Sequence, residues 1–385
     1  MKPSVLVLGA GRMGRAIALD LGDRCAVTVA DYDPERLSLL QKEMPSLQTY
    51  CIDFADTHSL EEVAEPNSLV LSAVPGDIGF LVLQTLVQMG KRVVDISFFP
   101  EEPFSLERIA KEKGAIAIVD AGVAPGLSNL LLGRHLLEMS VESYECFVGG
   151  LPVERQWPYQ YKAPFSPADV IEEYRRPVRQ RIGGQEIVKP PLSEVELFEV
   201  PEIGTLEAFN TDGLRTLLHT TSVPNMREKT LRYPGHAESI LILQESGFFS
   251  EELISVGGTQ VRPIEVTLAL LSRQWILKPS EKDILIMCVR IVGKKEGQLL
   301  QYEYWLKEEA DLSRQISAMA RCTAYTATAL ASYLLDRASV ESGIFAPEQI
   351  AGKEGAFDFV IKYLSERGVN IERRVKELSG SQKIF

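Results

Sequence analysis

Ser4-Val5-Leu6-Val7-Leu8-Gly9-Ala10-Gly11-Arg12-Met13-Gly14-Arg15-Ala16-Ile17 is the stretch that decides the fold. Ser4–Leu8 is apolar without alternation, the pattern of a strand buried on both faces of a parallel sheet. Gly9, Gly11 and Gly14 then fall in the spacing G-x-G-x-x-G, and a helical pattern follows over about residues 13–21. Glycines at this spacing also occur in ordinary loops. Position straight after a first buried strand and at the opening of a helix gives the motif its weight. Gly9 permits the tight turn, Gly11 lets backbone approach a diphosphate, and Gly14 lets helix and strand pack closely. Ala10, Arg12 and Met13 complete the loop, whose helix end offers N–H groups and a positive dipole end to an anion.

Working outward, residues 27–30 form a second strand, and Asp31 lies at its end, 17 residues after Gly14. A carboxylate there accepts hydrogen bonds from ribose hydroxyls and repels a 2′-phosphate, so NAD is expected rather than NADP. Asp33 adds a second negative charge, and no arginine immediately follows Asp31. The alternative is that Asp31 only caps the strand end. Asp33-Pro34-Glu35 opens the next helix, with Asp33 as N-cap and Pro34 at its first position. Further strands are predicted over 49–52, 68–73, 92–96 and 115–119, with helices near 76–89 and 105–113. Six strands with intervening helices give a Rossmann doubly wound parallel sheet over residues 1–125, an α/β class domain. Asp53, after the third strand, and Ser72, Ala73 and Val74, ending the fourth, occupy the carboxyl edge where a dinucleotide lies. They read equally well as ordinary loop residues.

The pattern changes after Pro125-Gly126. A helix is predicted over 127–138 and a strand over 143–148. Segments 149–164 and 183–191, rich in Pro and Gly, are expected to be irregular. Alternating runs at 284–292 and 298–306 predict an antiparallel hairpin joined through 293–297. Residues 126–315 are therefore expected to form a second α+β domain with a mixed sheet. Residues 316–385 carry C-terminal helices over 316–335 and 357–367, which either return to the first domain or stand apart from it.

The chain has 385 residues, 45% apolar and 24% charged, the composition of a two-domain globular enzyme. A net charge of −12 argues against a nucleic-acid partner. The basic pairs Arg175-Arg176 and Lys294-Lys295 are short and isolated and read as solvated surface. Five scattered cysteines (Cys25, Cys51, Cys146, Cys288 and Cys322) contain no Cys-x-x-Cys spacing, so neither a metal site nor a disulfide framework is expected. No apolar stretch has membrane-spanning length, and the amino end lacks a signal-peptide core, which predicts a cytoplasmic chain without a membrane partner. Apolar strands in the second domain suggest a homodimer or higher homo-oligomer built by sheet extension.

Val119-Asp120-Ala121-Gly122-Val123-Ala124-Pro125-Gly126 and Lys229-Thr230-Leu231-Arg232-Tyr233-Pro234-Gly235-His236 carry a family resemblance. Together with the glycine motif, Val148–Val153 and Met319–Thr326, they resemble the saccharopine dehydrogenase-like family, most closely its lysine 6-dehydrogenase branch, over about residues 1–350. The resemblance implies a second domain that binds an amino acid and closes over the nicotinamide. It also implies NAD-linked oxidation of L-lysine at the ε-carbon, giving the 6-semialdehyde with release of ammonia. One segment departs from that branch. Its members carry a Gly- and His-containing loop after the fifth strand, where this chain has Asp95-Ile96-Ser97-Phe98-Phe99.

Amine oxidation requires a grip on the α-carboxylate, alignment of the departing hydride, and a base for the ammonium proton. Arginine suits the first task, since its planar fork binds both carboxylate oxygens. Arg215, within Thr211–Thr216, and Arg232, beside Tyr233, are the candidates; the alternative for each is a structural salt bridge. His236, one of four histidines, lies four residues after Arg232 and has the pKa range for proton transfer. His219, after Leu217-Leu218, reads instead as a core or interface histidine. Asp120 ends the sixth strand at the ligand-binding edge, where it orients the substrate ammonium, acts as base, or caps the following helix. Gly122 and Pro125-Gly126 shape the loop below the nicotinamide, and Tyr161 either walls the pocket or packs a domain interface. Three readings remain open: a lysine dehydrogenase, a saccharopine-type reductase, and a non-catalytic NAD-binding sensor.

Overall fold

The computed structural model describes residues 2–278, 280–336 and 340–378. In chain order the first elements are β1 (Ser4–Leu8), α1 (Arg12–Leu21), β2 (Ala26–Asp31), α2 (Pro34–Glu43), β3 (Gln48–Cys51), α3 (Thr57–Ala64) and β4 (Leu69–Ser72). They continue with α4 (Gly76–Gln88), β5 (Arg92–Asp95), α5 (Glu107–Lys113), β6 (Ile116–Ile118) and α6 (Leu127–Leu136). Next come β7 (Ser140–Pro152), α7 (Pro167–Glu173), β8 (Val178–Ile182), β9 (Gln185–Lys189), β10 (Glu196–Val200) and β11 (Gly204–Asn210). They are followed by α8 (Leu217–Thr220), β12 (Asn225–Arg232), α9 (His236–Glu245), β13 (Ile254–Val256), β14 (Thr259–Val261) and α10 (Pro263–Trp275). The last are β15 (Asp283–Lys295), β16 (Gln298–Glu309), α11 (Ala318–Asp336), β17 (Gly343–Phe345), α12 (Pro347–Ile350), α13 (Ala356–Ser365) and β18 (Ile371–Glu377). These fall into two compact units. One comprises Met1–Ser140, His219–Thr221 and Ala320–Asn370; the other comprises Val141–Leu218, Ser222–Met319 and Ile371–Phe385.

The first unit is built on a parallel sheet of order β17-β6-β5-β4-β1-β2-β3. Strand order reverses between β1 and β4, the switch point at which a doubly wound sheet receives its ligand. Leu6, Leu8, Val70, Val93 and Ala117 share one buried cluster, which explains why these strands read as unbroken apolar runs. Asp33 caps α2 as its sequence predicts, accepting from Glu35 N at 2.9 Å and Arg36 N at 3.4 Å. The sheet has seven strands rather than the six expected. The seventh, β17, pairs in parallel with β6 and is only three residues long, too short to display any period. Its Ile344 joins the same core cluster.

The second unit carries a mixed sheet of order β10-β11-β12-β7-β15-β16-β18, with β8 pairing β12 and β9. β12 runs parallel to β7 and antiparallel to β11. Two expectations need correction here. Residues 183–191 are not irregular, because Gly183-Gly184 form the turn of the β8–β9 hairpin. Likewise β7 extends through Pro152, into the segment expected to be loop. The hairpin predicted near 284–306 is longer than expected, β15 and β16 pairing from Ile284↔Glu309 to Lys295↔Gln298. Among the described residues no helix is long and apolar enough to cross a membrane.

The Arg232–His236 turn owes its shape to Glu207 on β11. This buried carboxylate accepts Gly235 N at 2.8 Å and Ala237 N at 2.6 Å, capping α9 from a neighbouring strand because Gly235 has no side chain to do so. A negative group at a helix amino end is favoured both by the unpaired N–H groups and by the dipole. Glu207→Ala should therefore lower unfolding stability by about 2–3 kcal/mol, since two N–H groups lose a charged acceptor. Urea denaturation tests this, and an unchanged midpoint would refute the capping role.

Candidate functional site

In the first unit the glycine loop is held from two sides. Gly9 has φ +97°, and a Cβ on it would stand 2.6 Å from the carbonyl oxygen of Ala73, at the end of β4. A Cβ on Gly14 would stand 1.7 Å from the Gly9 oxygen, so helix and loop touch backbone to backbone. Gly11, by contrast, has nothing within 4 Å of its would-be Cβ. It is also the N-cap of α1 and supplies no side-chain cap. The loop is thus packed at Gly9 and Gly14 and open at Gly11, above the helix end, as a diphosphate cradle requires.

Asp31 fixes this loop. Its Oδ2 accepts Ala10 N at 2.5 Å and its Oδ1 accepts Asp33 N at 2.8 Å, with the residue only 2% exposed. The carboxylate therefore performs the capping task weighed as the alternative, and any bond to a ribose uses a lone pair left over. Arg12 and Met13 open α1. Asp53 is exposed, and its Oδ1 is engaged by Ala55 N at 2.9 Å. Ser72 and Val74 are buried and Ala73 half-buried.

At the ends of β4, β5 and β6 the structure gathers Ser72, Asp95, Ser97 and Asp120. Asp95 is fully buried; its Oδ1 accepts Ser97 N at 2.8 Å, while its Oδ2 has no hydrogen-bond partner among the described residues. Burial pushes this carboxyl up to about 7, with the like charge of Asp120 adding to the shift and the Ser97 and Ser72 hydroxyls opposing it. Asp120 is buried with φ +51°, a left-handed backbone that aspartate tolerates better than most residues. Gly122 bridges to Gly126, closing the loop between Asp120 and α6. Asn129 fixes the start of that helix, accepting Gly126 N at 3.3 Å and donating to Glu348 at 3.1 Å. Asp95 escaped the sequence reading, although it ends a strand on the same edge as Ser72.

In the second unit Arg232, Tyr161, Tyr174, Glu173 and His236 come together in the interior. The Arg232 guanidinium lies 4.5 Å from the Tyr161 ring centroid, donates to Tyr174 Oη at 3.3 Å, and is 3.6 Å from Glu173. Burial works against the Arg232 charge, but Tyr161, Tyr174 and Glu173 outweigh it and hold the guanidinium more firmly protonated than usual. His236 begins α9, buried, with Nε2 3.0 Å from Tyr174 Oη and Nδ1 3.1 Å from the Tyr159 carbonyl. Burial, then the Arg232 charge, lowers its pKa to about 3, which leaves it a poor proton acceptor at neutral pH. Tyr233 stands apart from this group, its hydroxyl donating to the Pro152 carbonyl at 2.9 Å beneath Arg155. His219 is a half-exposed partner of Glu102 at 2.8 Å rather than a core residue.

A second polar group surrounds the loop after β11. Asp212 accepts from Arg179 through backbone N at 2.9 Å and guanidinium at 2.8–3.2 Å. Thr211 donates to Glu228 at 2.7 Å, and a Cβ on Gly213 would meet that same carboxyl group at 2.6 Å. Burial pushes Glu228 up to about 8, against the Thr211 and Gly213 hydrogen bonds that favour its charged form. Arg215 follows at φ +43°, an uncommon conformation for a long side chain, and is 7% exposed. The expectation that Arg175-Arg176 is solvated surface needs correction, because both side chains are partly buried and paired with Glu172. Arg175 pairs with Glu172 at 2.6 Å and Glu251 at 2.7 Å. Arg176 is more desolvated, and burial followed by the positive charge of Arg215 lowers its pKa.

A doubly wound unit with an open glycine cradle, joined in one chain to a mixed-sheet unit with buried arginines, defines a two-domain NAD(P)-binding protein. Residues 5–118 match the family described as Saccharopine dehydrogenase NADP binding domain, and residues 122–369 match Saccharopine dehydrogenase C-terminal domain. The chain belongs to the saccharopine dehydrogenase family. It is 26% identical over 299 residues to "Alpha-aminoadipic semialdehyde synthase" of Arabidopsis thaliana, covering 68% of this chain and 28% of that protein. It is 25% identical over 301 residues to "Saccharopine dehydrogenase [NADP(+), L-glutamate-forming]" of Schizosaccharomyces pombe, covering 74% of this chain and 66% of that one. The match thus spans less than two thirds of each of these curated relatives. Apo saccharopine dehydrogenase (L-Glu forming) from Saccharomyces cerevisiae has the same fold, with TM-score 0.78 at 17% identity over 97% of this chain and 100% of that one. The fold recurs in homospermidine synthase from Legionella pneumophila in complex with NAD, with TM-score 0.67 at 13% identity over 100% and 94% of the two chains.

Asp95 generates a pH prediction. The unfolded chain releases its proton near 3.8, whereas the folded chain keeps it until about 7. The native state therefore binds more protons across that window, and stability falls as pH rises through it. Asp95→Asn imitates the protonated group. It should match wild type at about pH 4 and unfold at a higher temperature than wild type at about pH 8. Thermal denaturation at the two pH values checks this; a variant less stable than wild type at the higher one would refute the buried neutral acid.

Proposed function

We propose that this protein is an NAD-dependent dehydrogenase that oxidises a C–N bond of an amino acid. The observation that carries the reading is the family match across both units combined with a glycine turn left open at Gly11. NAD is favoured over NADP because Asp31 and Asp33 both stand at the end of β2, where a 2′-phosphate would meet like charge. When bound, NAD accepts the hydride. The chain's own residues bind and orient the substrate. Arg215 holds a carboxylate, set in position by the Arg179–Asp212 ion pair and the Thr211–Glu228 bond, and Arg176 adds positive charge beside it. In the first unit Asp120, just after β6, is the group assigned to take a proton, and burial holds Asp95, at the end of β5, partly protonated near neutral pH. Arg232 and His236 act as interior supports for α7 and α9 rather than as contacts to substrate.

L-lysine, oxidised at its ε-carbon, is the substrate that the specific sequence motifs favour. Saccharopine is the second reading, supported by the names of the curated relatives and by the proximity of two arginines suited to a substrate with more carboxylates. A screen of NADH formation against L-lysine, saccharopine and ornithine decides between them. Turnover of none, with NAD binding intact, would refute the enzyme reading and favour a sensor. Two variants test the assigned roles. Asp120→Asn should lower kcat at least about 100-fold with NAD affinity unchanged, the usual scale for a lost proton acceptor. Arg215→Lys should raise KM about tenfold or more while sparing NAD affinity, because the bidentate fork is lost. An unchanged KM would remove Arg215 from the substrate site.

A further inference from the structure

We propose that Asp33 and Arg36 form a cofactor-selecting pair, in which Asp33 occupies an arginine that would otherwise bind a ribose 2′-phosphate. The inference rests on the reading that a dinucleotide lies along this edge of the sheet, and it goes beyond that reading by assigning a latent phosphate ligand. Arg36 Nε is 3.2 Å from Asp33 Oδ2, and the guanidinium lies 5.7 Å from the centroid of the Tyr32 ring. Tyr32 is 60% exposed, so this stack faces outward at the end of β2.

Asp33 links the pair to the glycine loop. Its N–H donates to Asp31 Oδ1 at 2.8 Å, and Asp31 Oδ2 accepts Ala10 N at 2.5 Å. Two hydrogen-bonded steps therefore connect the partner of Arg36 to the turn that cradles the diphosphate, which sets the pair at the adenosine end. An arginine lying on an aromatic ring keeps its fork of N–H donors available for phosphate oxygens. Here its Nε edge is drawn to the Asp33 carboxylate instead. Both partners are partly exposed, with side chains 47% and 29% accessible, so the ion pair is weak and readily exchanged once Asp33 is gone. Asp33 has a separate structural duty, because its Oδ1 caps α2 through Glu35 N and Arg36 N. Serine can perform that duty without the charge.

Asp33→Ser therefore separates the two roles. Dissociation constants for NAD and for NADP, measured on the full chain by titration, are compared among wild type, Asp33→Ser, Arg36→Ala and the double variant. Wild type should prefer NAD. Asp33→Ser should gain about tenfold in NADP affinity, the scale of one unit charge removed at short range in a partly exposed site. Its NAD affinity should stay within about threefold, a shift well under the gain. The gain should vanish in the double variant. A gain that persists without Arg36 overturns the arginine's role, and an inert Asp33→Ser in a wild type that prefers NAD overturns the proposal alone. A wild type that already prefers NADP also overturns it. A wild type that binds neither nucleotide removes the dinucleotide reading and the proposal together.

Discussion

The hydrogen bond from Ala10 N to Asp31 is the constraint on which the first unit turns. A glycine-rich loop has the largest conformational entropy to lose on folding, and its backbone donors must find acceptors once they are buried. Asp31 supplies one such acceptor from the adjacent strand and shares its other oxygen with Asp33, so the loop and the start of α2 are set by one carboxylate. Gly9 and Gly14 then let backbone meet backbone where any side chain would collide, and Gly11 remains the open position. The loop is packed backbone to backbone at two of its glycines and has room for a side chain at the third.

The second unit solves a comparable problem with buried charge. Glu207 caps α9 from β11, Arg179 grips Asp212 after β11, and Arg232 pairs with Glu173. Ion pairs of this kind are weak evidence for stability, because desolvation offsets much of the attraction. What they do supply is position, since moving either partner would strand a charge in the interior. Arg215 inherits its place from that arrangement, held in a left-handed conformation by a loop anchored at Asp212 on one side and by the Leu218 N–H on its own carbonyl on the other.

Legibility from sequence followed the range of the forces involved. The β1–α1 turn and the Asp33 cap were readable because each is settled within a few consecutive residues. β17 was not, since three residues hold no period and the strand exists only because β6 offers it an edge. Arg175 and Arg176 are chemically identical neighbours just after α7, yet the first reaches both Glu172 and Glu251 while the second pairs more loosely with Glu172, a distinction set by tertiary packing. The burial of His236 was not legible for the same reason. Its partners are distant in sequence: the ring meets Tyr174 and the Tyr159 carbonyl, and Glu207, 29 positions earlier, caps the helix that it begins. Asp95 needed only the logic already applied to Ser72, the preceding strand end.

Asp95 and Asp120 show why two like residues at neighbouring strand ends need not share a role. Two ionised carboxylates buried side by side would repel strongly in a medium of low polarity, so environment must favour one as the neutral partner. Complete burial, with an Oδ2 that has no partner among the described residues, makes Asp95 the acid whose proton is held more tightly. A protonated Asp95 can donate a hydrogen bond, which an ionised one cannot. Pairs of acids whose surroundings drive them apart in this way are a recurrent arrangement for separating a charged group from an uncharged one within a single site.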